Sequence, residues 1–169
     1  DITDMKEFVE AKKKTEDEIS KLMNVEGDLA VDEVHRELGK IVWDKVGMAR
    51  SESGLRDALK EIPKVKEKFW KQISIPGNDK DVNQELEKAL RIKDFIELAE
   101  LMAYDALDRN ESCGAHFREE YQTEENEAER NDKDFKYVSA WDYSETESPK
   151  LYKEELKYQN VKLKTRSYK

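Results

Sequence analysis

Cysteine is nearly absent from this sequence: the 169 residues include one, Cys113. A single thiol excludes an internal disulfide, and it cannot hold an iron–sulfur cluster or a four-ligand zinc site of the usual kind. The chain also lacks an uninterrupted apolar run of about 18 residues, so we expect no direct insertion into a membrane. These absences favour a soluble domain without a metal centre.

Glycine is also scarce, with six residues, and none of them forms a Gly-x-Gly-x-x-Gly or a phosphate-binding loop. No Ser/His/Asp arrangement has a helpful local context either. The sequence therefore predicts no catalytic, cofactor-binding or metal-binding residues in this chain. By itself the chain is expected to carry no cofactor.

An excess of positive charge is missing as well, since the formal net charge is −9. Binding to DNA or RNA requires clustered Lys and Arg to neutralise phosphates, so nucleic acid is not an expected partner. Charged residues make up 42% of the chain, but they alternate with apolar residues at helical spacing. That pattern indicates a folded domain instead of a disordered acidic segment.

Four amphipathic segments are present in the first two thirds of the chain. Their apolar spacing predicts helices at about 5–23, 34–46, 51–73 and 82–108, with Pro63 marking a kink or break in the third. The fourth is apolar around most of its circumference, which is expected of a helix surrounded by others. We therefore expect a mainly α fold, in which residues 1–110 form a three- to four-helix bundle of the spectrin-like, up-down kind.

The residues from 111 to 169 differ in character and are predicted to form an extended C-terminal arm that packs on the bundle. Residues 119–134 are acidic and are predicted to form a solvated connector. Aromatic and β-branched residues at 135–143, and again at 151–163, favour two extended segments, and hence a short β-hairpin. Trp43, Trp70 and Trp141 each have apolar neighbours, for which burial in a core or an interface is the ordinary expectation.

The densest group of reactive side chains lies at 111–120, directly after the fourth helix. Cys113 and His116 could act as a nucleophile and a base, with Arg118 binding a carboxylate. In the other interpretation, Gly114 permits a special backbone turn while His116 and Arg118 form hydrogen bonds at an interface. The second is preferred, because nucleophile and base are usually distant in sequence.

Several of these segments resemble the C-terminal domain of the succinate dehydrogenase/fumarate reductase flavoprotein subunits. The resemblance begins with His-Arg-Glu-Leu-Gly-Lys-Ile-Val-Trp at 35–43 and Val-Gly-Met-Ala-Arg at 46–50. It continues with Glu-Ser-Cys-Gly-Ala-His-Phe-Arg at 111–118, which is similar to the family's Glu-Ser-Arg-Gly-Ala-His-x-Arg, and with the strand at 135–141. Cys113 stands where many members carry arginine, as in a fumarate-reductase-like branch.

The resemblance implies a parent subunit that interconverts succinate and fumarate through FAD and passes electrons to an iron–sulfur subunit. In the family, the flavin and the substrate-binding residues belong to upstream domains, so no catalytic residue is carried over to this chain. Further implied partners are the flavin-binding domain of the same chain and a membrane-anchor subunit. The implied location is cytoplasmic, peripheral at the cytoplasmic face of the inner membrane.

The resemblance also assigns the 111–118 segment a role as the joint with the absent flavin-binding domain. The candidate inter-domain docking residues are Ser112, Cys113, Gly114, His116 and Arg118. Because the chain begins with Asp1 and a helical pattern follows at once, we expect an excised domain that exposes an apolar docking face. Two alternatives stay open: a stand-alone helical interaction module, and the equivalent domain of L-aspartate oxidase.

Overall fold

A computed structural model describes residues 2–144 and 147–164. Its contacts group into two compact units. The first unit contains the residues up to Gly39 together with Pro63–Ile96, and the second contains Lys40–Ile62 together with the residues from Glu97 onward. Each of the two longest helices contributes one half to each unit.

The first unit is helical. After a 3-10 turn at Ile2–Asp4, it contains α1 (Lys6–Met23), α2 (Val31–Ile41) up to Gly39, the second half of α3 (Glu52–Gln72) and the first half of α4 (Gln84–Asp108). Its core residues are almost completely buried; they are Leu22, Val31, Val34, Leu38, Val65, Phe69, Ile73, Leu86, Ala89, Ile92 and Ile96. They recur at helical spacing, as the sequence predicts.

Two short strands close this unit. β1 (Leu29–Ala30) pairs in parallel with β3 (Ile73–Ser74), so that Leu29 faces Ile73. The approach depends on Gly27, since a Cβ atom at that position would lie 1.9 Å from the carbonyl oxygen of Gln72. Glycine is therefore required there for space, without any demand on its backbone angles.

The second unit combines halves of α3 and α4 with the arm. It begins with a π-helical turn at Val42–Val46, and it contains the strands β2 (Ala49–Arg50) and β4 (Phe117–Arg118), which pair in parallel. A short helix, α5 (Asp132–Phe135), precedes the hairpin of β5 (Tyr137–Asp142) and β6 (Lys150–Glu155), which is antiparallel with Trp141 opposite Leu151. The buried apolar residues are Val46, Leu55, Ala58, Ile62, Ala99, Ala103, Ala106 and Tyr137.

This architecture confirms the predicted fold class, a mainly α chain with a hairpin near its C-terminal end. Several details differ from the predictions. The third helix continues through Pro63 without a break, and Pro63 is exposed. The second helix spans Val31–Ile41, where 34–46 was predicted. The fourth helix is not covered on all sides, since Phe95, Leu98 and Met102 are 41%, 54% and 41% exposed. Within the described residues, no helix is long and apolar enough to cross a membrane.

Candidate functional site

Arg118 organises the junction between α4 and the arm. Its side chain is completely buried, and its Nη1 donates to the carbonyl oxygens of Ala106 (2.9 Å) and Leu107 (3.4 Å). These carbonyls lie in the last turn of α4, where they have no partner within the helix and where a cation is favoured by the helix dipole. Arg118 Nε also donates to the Glu120 carboxylate at 3.1 Å. A guanidinium thus satisfies the end of the helix from inside the fold.

The neighbouring polar residues are equally well satisfied. The Ser112 hydroxyl accepts from the Arg118 backbone N–H (2.8 Å) and donates to the Arg118 carbonyl (3.1 Å). Glu111, which is 2% exposed, accepts from Arg109 Nη1 at 2.9 Å and from the Asn131 backbone N–H at 2.7 Å. Because each group has a partner, these residues form a rigid base for the loop above them.

That loop is a tight turn. The backbones of Cys113 and His116 exchange hydrogen bonds of 2.8 and 3.1 Å, which leaves Gly114 and Ala115 at the tip. Gly114 has a φ of +60°, the left-handed region in which side chains are unfavourable, although a Cβ atom there would contact nothing within 4 Å. The turn therefore requires glycine for its backbone angle alone, and it fixes the position of His116.

His116 bridges two segments through both ring nitrogens. Nε2 lies 2.9 Å from the Arg109 carbonyl oxygen, and Nδ1 lies 2.9 Å from Arg50 Nη1. A carbonyl can only accept and a guanidinium can only donate, so Nε2 carries the proton and Nδ1 is bare. Burial, and then the positive charges of Arg50, Arg118 and Arg109, lower the pKa of His116, whereas the bond to the Arg109 carbonyl raises it. The ring is held as the neutral tautomer.

The two bonds of His116 bear on the catalytic interpretation of the 111–120 segment. Both ring nitrogens are occupied, so the imidazole has no free nitrogen to accept a proton from Cys113. Burial first, and the charge of Glu111 second, raise the pKa of the Cys113 thiol. A nucleophile needs the opposite change, since the thiolate is the reactive form. This geometry favours a structural role for the segment over local catalysis.

The pKa of His116 leads to a prediction about stability. A histidine whose folded pKa lies below its unfolded value of about 6.5 stabilises the fold above that value, and this contribution is lost as the pH falls through the folded pKa. We expect the unfolding free energy of the wild type to fall more steeply between about pH 6.5 and 5 than that of His116→Gln. Urea titrations across this range measure the difference, and equal slopes for the two proteins would contradict it. In a parallel NMR titration, the His35→Gln variant retains only the His116 ring signals and so identifies them.

An open groove of about 530 Å³ lies next to this network in the second unit. Its lining includes apolar side chains from α4 and β5, which are Leu98, Leu101, Met102, Val138 and Trp141. The polar side chains of Asp105, Arg109 and His116 line it as well. A concave apolar surface with a few convergent polar groups is typical of binding sites.

The walls of the groove are held in place by specific contacts. Trp141 Nε1 donates to the Asp105 carboxylate at 2.8 Å, and the indole lies 6.3 Å from the Tyr104 ring, centroid to centroid. The Arg109 guanidinium lies 5.2 Å from the Tyr137 ring centroid and donates to the Tyr137 carbonyl at 3.0 Å. Val138, in contrast, leaves 52% of its surface exposed. The groove is therefore preformed, with uncovered apolar residues.

The five predicted docking residues differ in their exposure to solvent. Ser112 and Arg118 are buried and bonded to this unit, while Gly114 is exposed and Cys113 partly so. Of the five, only His116 lines the groove. Sequence reasoning did not identify Arg50, Asp105, Arg109, Leu98, Met102 or Val138 as site residues. Two features of the sequence could have pointed to them. One is the fourth helix, which is apolar around its circumference, and the other is the Val-Gly-Met-Ala-Arg motif, which ends at Arg50.

The glycines do not fit a dinucleotide cofactor. Where a glycine permits close approach, the neighbour is this chain's own backbone: Gln72 next to Gly27, and Trp43 next to Gly47. Gly114 and Gly39 have open space around them, and they do not follow a strand as a phosphate-binding loop would. Among the described residues, no three His, Cys, Asp or Glu side chains are grouped to hold a metal ion.

The fold is that of a helical domain with a hairpin arm, and its second unit has an open groove beside a network of arginines. A family model described as the fumarate reductase flavoprotein C-terminal domain matches residues 35–168. The chain belongs to this family, which confirms the resemblance seen in the sequence.

Two relatives and two solved structures are similar to the chain. The fumarate reductase flavoprotein subunit of Helicobacter pylori is 31% identical over 144 residues, and the succinate dehydrogenase flavoprotein subunit of Bacillus subtilis is 30% identical over 150 residues. These matches cover 85% and 88% of this chain but 20% and 24% of the relatives. The chain thus spans about a fifth to a quarter of their length.

Similar folds occur in quinol fumarate reductase of Escherichia coli and in the Sdh1 complex of Mycobacterium smegmatis. The TM-scores are 0.78 and 0.71, at 22% and 20% sequence identity. The similarity covers 93% and 87% of this chain, and 26% and 24% of the respective structures. These similarities concern the fold alone.

Proposed function

We propose that this chain is the helical C-terminal part of a flavoprotein subunit that interconverts succinate and fumarate through FAD. The match to the fumarate reductase flavoprotein C-terminal family over residues 35–168 supports this assignment, as do relatives from both fumarate reductases and succinate dehydrogenases. FAD supplies hydride transfer when it is bound, and we assign its binding to the portion of the subunit outside this chain. The chain itself acts by packing and assembly.

The groove of the second unit is the proposed docking surface for the flavin-binding portion. The observation that carries this proposal is the exposure of neighbouring apolar side chains: Leu98 (54%), Met102 (41%) and Val138 (52%) line one concavity. Contiguous exposed apolar surface rimmed by polar groups marks interaction sites in soluble proteins. Covering these side chains would remove apolar area from water and stabilise the assembled subunit.

The 112–118 segment contributes to docking by its rigidity. Ser112 and Arg118 hold the tight turn from inside, and His116 of this turn lines the groove. Cys113 and Gly114 lie on the outer side of the same turn, where a partner can contact them. We propose that the five residues predicted from the sequence act together, two as internal supports and three as contact residues.

Two further partners follow from the proposed parent subunit. These are an iron–sulfur subunit, which takes electrons from the flavin, and a membrane-anchor subunit, which holds the complex at the cytoplasmic face of the inner membrane. The similarity to chains from respiratory complexes supports a multi-subunit assembly. Their contacts with this chain would be indirect or would use surfaces other than the groove.

The docking proposal can be tested by binding in trans. We expect the 169-residue chain to bind the separately expressed flavin-binding portion of the parent subunit. Val138→Asp should raise the dissociation constant about tenfold, because it places a charge among apolar contacts. Isothermal titration calorimetry measures this constant. Val161→Asp is the matched control, since Val161 is 69% exposed and lies outside the groove.

Two results would count against the proposal. If the isolated chain binds FAD tightly or reduces fumarate with an artificial donor, its role is not confined to packing. If the wild-type chain does not bind the flavin-binding portion, the groove serves another partner, and a stand-alone interaction module becomes the better interpretation.

A further inference from the structure

Arg50 is the one arginine of the His116 network whose charge is not neutralised by a direct carboxylate partner. In β2, its Nε donates to the Gly47 carbonyl at 2.8 Å and its Nη1 donates to His116 Nδ1 at 2.9 Å. Both acceptors are neutral. Within the part of the chain that the structure describes, no Asp or Glu oxygen lies within 4.0 Å of its guanidinium. The Nη2 group donates to no described residue.

The other two arginines of the network differ in this respect. Arg109 is paired with Glu111 at 2.9 Å, and Arg118 with Glu120 at 3.1 Å. Both pairs are formed within the same few residues of sequence, so they are complete before any partner binds. Arg50 lies on a separate strand, and its hydrogen bonds leave three of the five guanidinium N–H groups unused.

The surroundings of Arg50 make its unpaired charge unfavourable. Burial is the main cause that lowers the pKa of Arg50, and the charge of Arg118 lowers it further. Asp105 acts in the opposite direction, but its Oδ1 already accepts from Trp141 at 2.8 Å. A partly buried cation without a direct counter-ion gains more from a carboxylate than a fully hydrated one does.

The position of Arg50 connects it to the groove. His116 lines the groove and contacts Arg50, and Asp105, whose charge acts on Arg50, lines the groove as well. Arg50 itself does not line the groove, but a protein segment that covers the groove would contact His116 and would therefore lie close to the Arg50 guanidinium. Since the chain spans about a fifth to a quarter of its relatives, most of the subunit is available to supply that segment.

We propose that Arg50 binds one Asp or Glu side chain of the flavin-binding portion of the same subunit, and that this ion pair fixes the orientation of docking on the groove. The inference rests on the proposed function, since it names the chemistry of the partner at the same surface. Guanidinium and carboxylate match as planar, two-point partners, which gives direction as well as attraction. Apolar contacts alone specify no such orientation.

The experiment uses the full 169-residue chain, the separately expressed flavin-binding portion, and calorimetry at two salt concentrations. Arg50→Gln should raise the dissociation constant about 30-fold at low salt, and Arg50→Lys should raise it less because the charge remains. The salt dependence seen for the wild type should largely disappear in Arg50→Gln. Arg56→Gln is the matched control, because Arg56 is an exposed arginine of α3 paired with Glu52.

The outcomes separate this inference from the docking proposal. If Arg50→Gln binds as tightly as the wild type while Val138→Asp is weakened, the ion pair does not exist and the groove proposal stands. If Arg50→Gln and Arg50→Lys are weakened equally and without a change in salt dependence, Arg50 only supports His116 and Gly47, and the inference is wrong. If the wild type does not bind, the proposed function itself fails. Circular dichroism and the His116 ring signals confirm that each variant is folded.

Discussion

Arg118→Ala is expected to lower the unfolding free energy of the chain by about 4 kcal/mol. The side chain is completely buried, and its loss leaves the carbonyls of Ala106 and Leu107 without a donor. It also leaves the Glu120 carboxylate without its cation. Buried acceptors that lose their partner keep the full cost of desolvation.

Urea unfolding followed by circular dichroism measures this change. Arg118→Met fills most of the space without restoring any donor, so it should remain destabilised by more than half of the alanine effect. Arg56→Ala is the control, because its ion pair with Glu52 is solvent-exposed and should contribute about 0.5 kcal/mol or less. A near-neutral Arg118→Met would mean that volume, and not hydrogen bonding, explains the role of Arg118.

Phe69→Ala is expected to destabilise the first unit by about 3–5 kcal/mol. The Phe69 ring is completely buried and meets the Trp70 ring edge to face at 5.2 Å between centroids. Alanine removes six heavy atoms from a packed core, and α3 cannot collapse to fill the space without moving its neighbours.

Thermal and urea unfolding of Phe69→Ala and Phe8→Ala provide the comparison. Phe8 lies on α1 with 52% of its surface exposed, so its truncation should change stability by less than about 1 kcal/mol. Similar losses for the two variants would show that the core of the first unit does not centre on Phe69.

The helices were predictable from the sequence because burial follows the helical repeat closely. In α3, Leu55, Ile62, Val65 and Phe69 recur at intervals of three, four or seven residues, and all are buried. Residues 5–23 and 82–108 were predicted within two residues of the observed ends. At Pro63 the helical assignment continues without a break, and the proline is exposed to solvent.

Burial around α4 was not predictable in the same way. A helix that is apolar on all sides indicates that each side is covered in the functional assembly, but the sequence does not say whether the cover belongs to this chain. Leu98 and Met102 are exposed here, and Trp43, for which burial was expected, is 82% exposed. The pattern predicts contacts on each side of the helix, but it does not identify their source.

The site was predictable only where its residues are adjacent in sequence. The turn at Gly114 and the importance of His116 and Arg118 followed from the 111–118 motif. The pairing of His116 with Arg50 did not, because it joins residues 66 positions apart and depends on the alignment of β2 with β4. Side-chain spacing within one segment carries no information about such a register.

The parallel pairing of β2 with β4 has a consequence for how the chain folds. The hydrogen bond from the Glu52 backbone N–H to the Glu120 carboxylate, beside these strands, joins residues 68 positions apart. Closing a loop of this length has an entropic cost that must be met before the contacts can stabilise it. Helix formation is local and fast, whereas this closure requires the ends of a long segment to meet. We therefore expect the arm to be the last part of the chain to fold, so that its groove forms only after the long helices.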